Sequence, residues 1–320
     1  MTPPQSLFDE VPLQKVRPSA VYLNARNYGM DHEAARECAD TWNRLFNTCF
    51  TQRVAGEFYN VSKVETVDFP ADQPKGCLYV TAHFSAYTFV SIALARHYKK
   101  KIYLVVGKPP KDFEDYLVNS MAVAGVEAIL IRSDFSQLRK IRRAIDAGEL
   151  VLSLIDVPWH RTVIKNREYE YFVLGAGKIA ASRSIYKIAE RLDLTPALVL
   201  CEPEGDGFNV VYHGEMTQEA CFEVLADLIS KHPGHFERFC EMHMYYQGGV
   251  PCNNLTTFLI GDHRYIAVSN RNKFWKLGTD ATLAIEAKLE SENGESDASE
   301  MIKTLVKRLS EKEYDQVVYF

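Results

Sequence analysis

The segment Leu78-Tyr79-Val80-Thr81-Ala82-His83-Phe84-Ser85-Ala86-Tyr87-Thr88 runs an apolar stretch into a histidine and then into small residues that can open a helix. In open α/β sheets, ligands bind beyond the carboxyl ends of the strands. A histidine placed there can reach a substrate proton as a general base, beside a helix start that favours negative charge. A histidine at a helix start serves structural hydrogen bonds equally well, and the residues alone leave both roles open. Asp156 follows a second apolar stretch, Leu150 to Ile155, on the same expected edge, a position that also suits a helix or loop cap. Trp159-His160-Arg161 comes next and places His160 on a loop near that edge as a secondary candidate. The basic run Arg139-Lys140 and Arg142-Arg143 lies on an amphipathic pattern, either a solvated face or a docking surface for an acidic partner.

Other reactive groups carry less. The seven cysteines, Cys38, Cys49, Cys77, Cys201, Cys221, Cys240 and Cys252, are odd in number and include no Cys-x-x-Cys pair. That fits a reducing compartment rather than a disulfide framework. Cys77 and Cys49 sit at apolar spacing and read as core residues. His232, His235 and His243 gather around Cys240 without zinc-ligand spacing, so no metal site is assigned. Gly175-Ala176-Gly177 lacks the third glycine and the later acid of a dinucleotide fingerprint.

The elements that must position these residues alternate. Strand patterns cover Gly76 to Ala82, Lys101 to Gly107, Glu127 to Ile131, Leu150 to Ile155, Pro196 to Cys201 and Phe208 to His213. Helical patterns cover Asp31 to about Ala55, Ser85 to His97, Lys111 to Ala124, Ser136 to Ala147, Lys178 to Leu192 and Thr217 to Lys231, with Asp31 as a plausible N-cap. Alternation with strands apolar on both faces predicts an α/β layer around a mostly parallel sheet over residues 1–247. After the linker Gly248-Gly249-Val250-Pro251 the texture changes. Strand patterns at Thr256 to Ile260, Tyr265 to Ser269 and Lys273 to Leu277, with helices at Thr279 to Leu289 and Glu300 to Leu309, predict a small α+β module over residues 253–320.

Composition narrows the class. The chain has 320 residues, 47% hydrophobic and 25% charged, as ordinary globular proteins do. With 37 basic against 42 acidic residues its formal charge is −5, which argues against nucleic-acid binding by bulk charge. No signal-peptide pattern opens it, and no apolar stretch approaches the roughly 18 residues of a membrane span. A cytoplasmic protein with no membrane span is expected.

On these residues the chain resembles the lysophospholipid-type acyltransferases, and most of all the lipid A late acyltransferase family (the lauroyl and myristoyl transferases of endotoxin synthesis). The block His83-Phe84-Ser85-Ala86-Tyr87-Thr88 is similar to that family's His-x4-acid block, approximately His-Phe-Gly-Asn-Trp-Glu. Lys108-Pro109-Pro110-Lys111 stands where the family carries an Arg-Pro element, and Ala124-Gly125-Val126 matches a glycine ending the next helix. Asp156 matches an Asp-Gln after a strand, and Tyr171-Phe172-Val173-Leu174-Gly175 resembles Pro-Phe-Phe-Gly. Lys178 to Leu192 with Thr195-Pro196-Ala197 resembles a helix followed by a strand, and the segment from His232-Pro233 to Phe239 resembles the closing His-Pro-x-x-Trp.

The resemblance implies a glycerolipid-acyltransferase-like layered, mostly parallel sheet. It also implies acyl transfer from a thioester on acyl carrier protein or coenzyme A, with no bound cofactor, to a hydroxyl or amine. His83 would be the base. Lys108 would contact the oxyanion or the donor's phosphate, with a solvated surface lysine as the plain alternative. Ser85, Gly175 and His160 would lie on the substrate side, and Arg139, Arg142 and Arg143 would dock the carrier. Three departures stand out. Thr88 replaces the family's acid, so His83 works unaided and more slowly, or Asp156 substitutes as orienter, or catalysis is lost and binding kept. The family's opening hydrophobic span is missing, which suits a soluble acceptor such as a peptide or specialised metabolite. The C-terminal module is the third: it faintly resembles a winged-helix leader-peptide-binding domain, with an α+β cap or dimerisation element as the alternative. A non-catalytic carrier- or peptide-binding homologue and a thioester hydrolase are the competing functions.

Overall fold

The computed structural model describes residues 18, 20–22, 24–25, 28–46, 64–106, 111–132, 138–156, 169–174, 177–205, 207–244, 246–248, 255–260, 263–268, 273–289, 301 and 304. The chain divides into two compact units, Arg44–Glu237 and a second made of Met1–Asn43 with Arg238–Phe320.

The Arg44–Glu237 unit is α/β. Its strands are β1 (Val64–Val67), β2 (Tyr79–Thr81), β3 (Ile102–Val106), β4 (Ala128–Arg132), β5 (Leu150–Leu154), β6 (Tyr169–Leu174), β7 (Gly177–Ser182), β8 (Ala197–Glu204) and β9 (Gly207–Glu215). Its helices, numbered after α1 (His32–Leu45), are α2 (Thr88–Tyr98), α3 (Lys111–Val123), α4 (Leu138–Asp146), α5 (Ser184–Leu192) and α6 (Gln218–Lys231). Seven strands form one sheet in the order β1-β9-β8-β2-β5-β3-β4. The pairs β8–β2, β2–β5, β5–β3 and β3–β4 are parallel, while β9 runs antiparallel to β8. The central strand β2 is buried at every residue, as a parallel strand covered on both faces must be. Helix α2 is buried along Phe89–Ala95 rather than on one stripe, the mark of a helix enclosed by the core. Helix α4 is amphipathic: Ile141, Ala144 and Ile145 face inward, and Arg139, Lys140, Arg142 and Arg143 face solvent.

The connections explain where a site can form. From β2 the chain crosses through α2 to β3 on one side. From β5 it travels through β6, β7 and α5 to β8 on the other side. Right-handed crossovers in opposite directions put their helices on opposite faces and open a crevice between the two strands. That crevice lies beyond the carboxyl ends of β2 and β5.

Strands β1 and β6 fall outside the expected strand patterns, and two helix starts also differ. The helix expected over Lys178 to Leu192 begins only at Ser184. Residues Gly177–Ser182 instead form β7, paired antiparallel with β6 from Leu174↔Gly177 to Tyr169↔Ser182. Ile179 and Ala181, both buried, alternate with period two, and strand pairing overrides the helix propensity of the alanines. The helix expected from Ser85 begins at Thr88, because Ser85 has a left-handed φ of 50°.

In the other unit, β10 (Tyr246–Gly248) precedes an antiparallel sheet of β11 (Leu255–Ile260), β12 (His263–Val268) and β13 (Lys273–Lys276), followed by α7 (Thr279–Leu289). Leu277 and Ile285 are its buried anchors there. Asn24 donates its amide to the Phe239 carbonyl at 2.6 Å. At the start of α1, Asp31 accepts the Ala34 amide at 2.8 Å, the expected N-cap bond. Among the described residues no helix is long and apolar enough to cross a membrane.

Candidate active site

Strand register assembles the site. The β2–β5 ladder pairs Tyr79 with Leu152, Val80 with Ser153 and Thr81 with Leu154. It extends one bond further, from the Ile155 amide to the Thr81 carbonyl at 2.9 Å. Two residues beyond Thr81 stands His83, and two beyond Leu154 stands Asp156. The same register and the same side-chain parity bring them together just past the strand ends.

The contact is double. His83 Nδ1 lies 2.8 Å from Asp156 Oδ1, and the His83 main-chain amide donates to Asp156 Oδ2 at 2.9 Å. An ionised carboxylate only accepts, so the ring must donate Nδ1–H, and Nε2 becomes the basic nitrogen. The pair is buried, Asp156 completely and His83 to 4% exposure. In such surroundings an imidazole–carboxylate contact is stronger than in water. The Tyr87 ring meets the imidazole edge-on, with centroids 4.7 Å apart.

The turn carrying His83 is held from the other side by the segment after α6. The Ser85 amide donates to the His235 carbonyl at 2.7 Å, and the Glu237 amide donates to the His83 carbonyl at 2.9 Å. Phe84 forms an isolated antiparallel bridge with Phe236. Ser85 Oγ lies 2.9 Å from His235 Nδ1. Burial, with His232 and Arg44 nearby, lowers the His235 pKa to about 4, so its ring is neutral at physiological pH.

The other sequence candidates separate cleanly. Thr88 is the first residue of α2, and its carbonyl accepts the Ser91 hydroxyl at 2.7 Å; the Nδ1 contact belongs to Asp156. Ser85 is buried within the turn. Arg139, Arg142 and Arg143 are exposed on α4, where Arg142 chelates Asp146 at 2.8 and 3.0 Å. Lys108, His160 and Gly175 lie outside the described residues. Cys77 and Cys38 are buried thiols, both pushed up to about 12 by burial and so held away from the thiolate form. Sequence reasoning missed the Ser85–His235 pair. Nothing local to Ser85 signals it, and its partner lies in the distant His232-Pro233 segment.

No family model matches the chain, and no curated protein matches it.

Proposed function

We propose that the protein is an acyltransferase of glycerolipid-acyltransferase-like fold. It would move an acyl group from an acyl carrier protein or coenzyme A thioester to a hydroxyl or amine acceptor. The observation that carries this reading is the buried contact of His83 Nδ1 with Asp156 Oδ1 at 2.8 Å, beyond the carboxyl ends of two adjacent parallel strands. It supplies the carboxylate that Thr88 cannot.

In the proposed reaction the acceptor's O–H or N–H gives its proton to His83 Nε2 as its oxygen or nitrogen bonds to the thioester carbonyl carbon. Asp156 fixes the tautomer and stabilises the imidazolium that forms. The tetrahedral oxyanion collapses, the C–S bond breaks, and the imidazolium returns its proton to the departing thiolate. In the proposal, the positive end of the α2 dipole stabilises the oxyanion. Arg139, Arg142 and Arg143 are the proposed docking face for an acidic carrier.

The test is to incubate the chain with acyl-carrier-protein and coenzyme A thioesters, with and without candidate acceptors, and to follow intact masses. Acyl transfer that falls by about 10³-fold or more in His83→Ala is the expected result. Unchanged turnover in that variant removes the mechanism. Thioester consumption giving only free acid identifies water as the acceptor and a hydrolase.

A further inference from the structure

We infer that His235 is a positioning residue for His83, holding its turn in a conformation that the turn does not favour by itself. The inference rests on the proposed role of His83 only for its effect on turnover. Its structural content stands on the contacts of His235 alone.

The turn carries backbone strain. Ser85 has φ 50°, a region that costs a non-glycine residue about 1–2 kcal/mol. Phe84 closes a tight turn just before it, its amide on the Ala82 carbonyl at 2.8 Å. Strain persists only where the surroundings over-determine it. His235 does so twice: its carbonyl accepts the Ser85 amide at 2.7 Å, and its Nδ1 meets the Ser85 hydroxyl at 2.9 Å. The side chain therefore locks the same residue that the main chain locks. The neutral ring holds the serine in either tautomer: Nδ1 accepts Ser85 Oγ–H, or Nδ1–H donates to Ser85 Oγ.

The ring is itself fixed. It lies among Phe84, Phe208 and His232, with centroids 6.1, 6.3 and 5.7 Å away. The segment then continues to Glu237, whose amide bonds the His83 carbonyl. Residues 83 and 85 are thus gripped by 237 and 235 in antiparallel order, around the Phe84–Phe236 bridge. Asp156 orients the imidazole from the β5 side, while His235 sets the backbone from which that imidazole projects. Loss of the hydroxyl contact lets the turn relax towards ordinary φ, which displaces the Nδ1–H bond to Asp156.

The experiment compares His235→Ala with His235→Asn in the full chain. The asparagine amide places Oδ1 or Nδ2 where Nδ1 stands and keeps a hydrogen bond to Ser85 in either direction. Two signals are read: the downfield proton of His83 Nδ1–H, by NMR without substrate, and kcat against KM for thioester turnover. His235→Ala is expected to broaden or remove the proton signal and lower kcat by about a hundredfold with KM little changed, as a misplaced catalytic group does. His235→Asn is expected to restore both. If the alanine variant does not fold, Ser85→Gly tests the contact from the other side. Glycine accepts φ 50° and lacks the hydroxyl, so a smaller displacement of the same signal is expected. An unmoved proton signal, or equal damage from Ala and Asn, overturns the inference. The two proposals fail separately. A proton signal that responds as expected, with no thioester consumed by the unaltered chain, keeps this inference and removes acyl transfer. Thioester turnover and a proton signal both indifferent to His235→Ala do the reverse.

Discussion

The two ends of the mostly parallel sheet are built from different chemistry. At the carboxyl end of β2 stand an imidazole, a carboxylate and a left-handed serine. At its amino end, Tyr79 opens the strand beside Cys77 and packs near Tyr98, with centroids 6.3 Å apart. Phe69 joins that cluster against His97, Tyr98 and Tyr212. Burial raises the pKa of Tyr79 and Tyr98, and pushes Cys77 and Tyr212 up to about 12. One end is kept neutral and tightly packed; the other holds polar groups under strain. The lesson is a division of labour along a strand of three residues: neutral packing at one end, and at the other an unfavourable turn held by its own hydrogen bonds.

The sharpest way to break this division is Asp156→Asn. The amide keeps the shape but cannot stabilise an imidazolium, and it permits the wrong tautomer. Turnover is expected to fall by about 10⁴-fold, while thermal unfolding shifts far less than activity does. Steady-state kinetics beside calorimetry reads both. A variant that loses turnover only in proportion to its loss of folded protein would make Asp156 a packing residue.

The amino end should answer in the opposite currency. Tyr79 is fully buried, and Tyr79→Ala removes a large aromatic from the core. A loss of about 3–5 kcal/mol in urea unfolding is expected. The residual folded protein should keep its His83 proton signal and its proposed turnover, because the cluster lies at the far end of the strand. A large fall in kcat per folded molecule would show that the two ends are coupled.

Much of this plan was legible beforehand. The alternation of apolar strands and helices predicted the α/β layer, and the histidine ending one strand and the aspartate ending another lay on the expected edge. Their pairing stood only as one of three alternatives, because it depends on which strands are neighbours. Residues 83 and 156 are adjacent only since β5 returns to lie beside β2 after β3 and β4 have been laid down. Strand β7 was misread because Ile179-Ala180-Ala181 has helix propensity, and only the partner strand β6 shows the alternation to be real. The Ser85–His235 lock was hidden for a related reason. A φ of 50° at serine has no local sequence signal, and its partner lies 150 residues away.

pH separates the two ends by sign. At the carboxyl end, His235 takes up a proton near 6.5 when unfolded and near 4 when folded. Above 6.5 both states are neutral and the site costs nothing. Between 6.5 and 4 the unfolded chain alone binds the proton, so stability falls with falling pH, by about 3 kcal/mol from this group. At the amino end, Cys77 and Tyr212 lose their protons more readily when unfolded, so their contribution is lost as pH rises through about 12. Urea unfolding measured across pH should therefore show an acid limb that flattens in His235→Asn and an alkaline limb that does not. An acid limb unchanged by that substitution would assign it to other groups.

The smallest expected effect lies along α4, which runs from the carboxyl edge to the amino edge of the sheet and so repeats the comparison in miniature. Arg139 sits in its first turn, near the carboxyl edge, while Arg142 is held by Asp146 and reaches the Leu192 carbonyl at 3.4 Å. An acidic carrier delivering a thioester to His83 would meet the first turn before the last. Arg139→Glu is therefore expected to raise the apparent KM for a carrier-borne thioester by several-fold, about 1 kcal/mol, with the effect shrinking as salt is added. Arg142→Glu should change KM less, since that guanidinium is already engaged, and should instead lose its helix pair with Asp146, about 0.3–0.5 kcal/mol of stability. Coenzyme A thioesters present no acidic protein surface, so neither variant should alter their KM as strongly. Equal effects of the two variants on both donors would mean that the basic face of α4 is a solvated surface and that the carrier docks elsewhere.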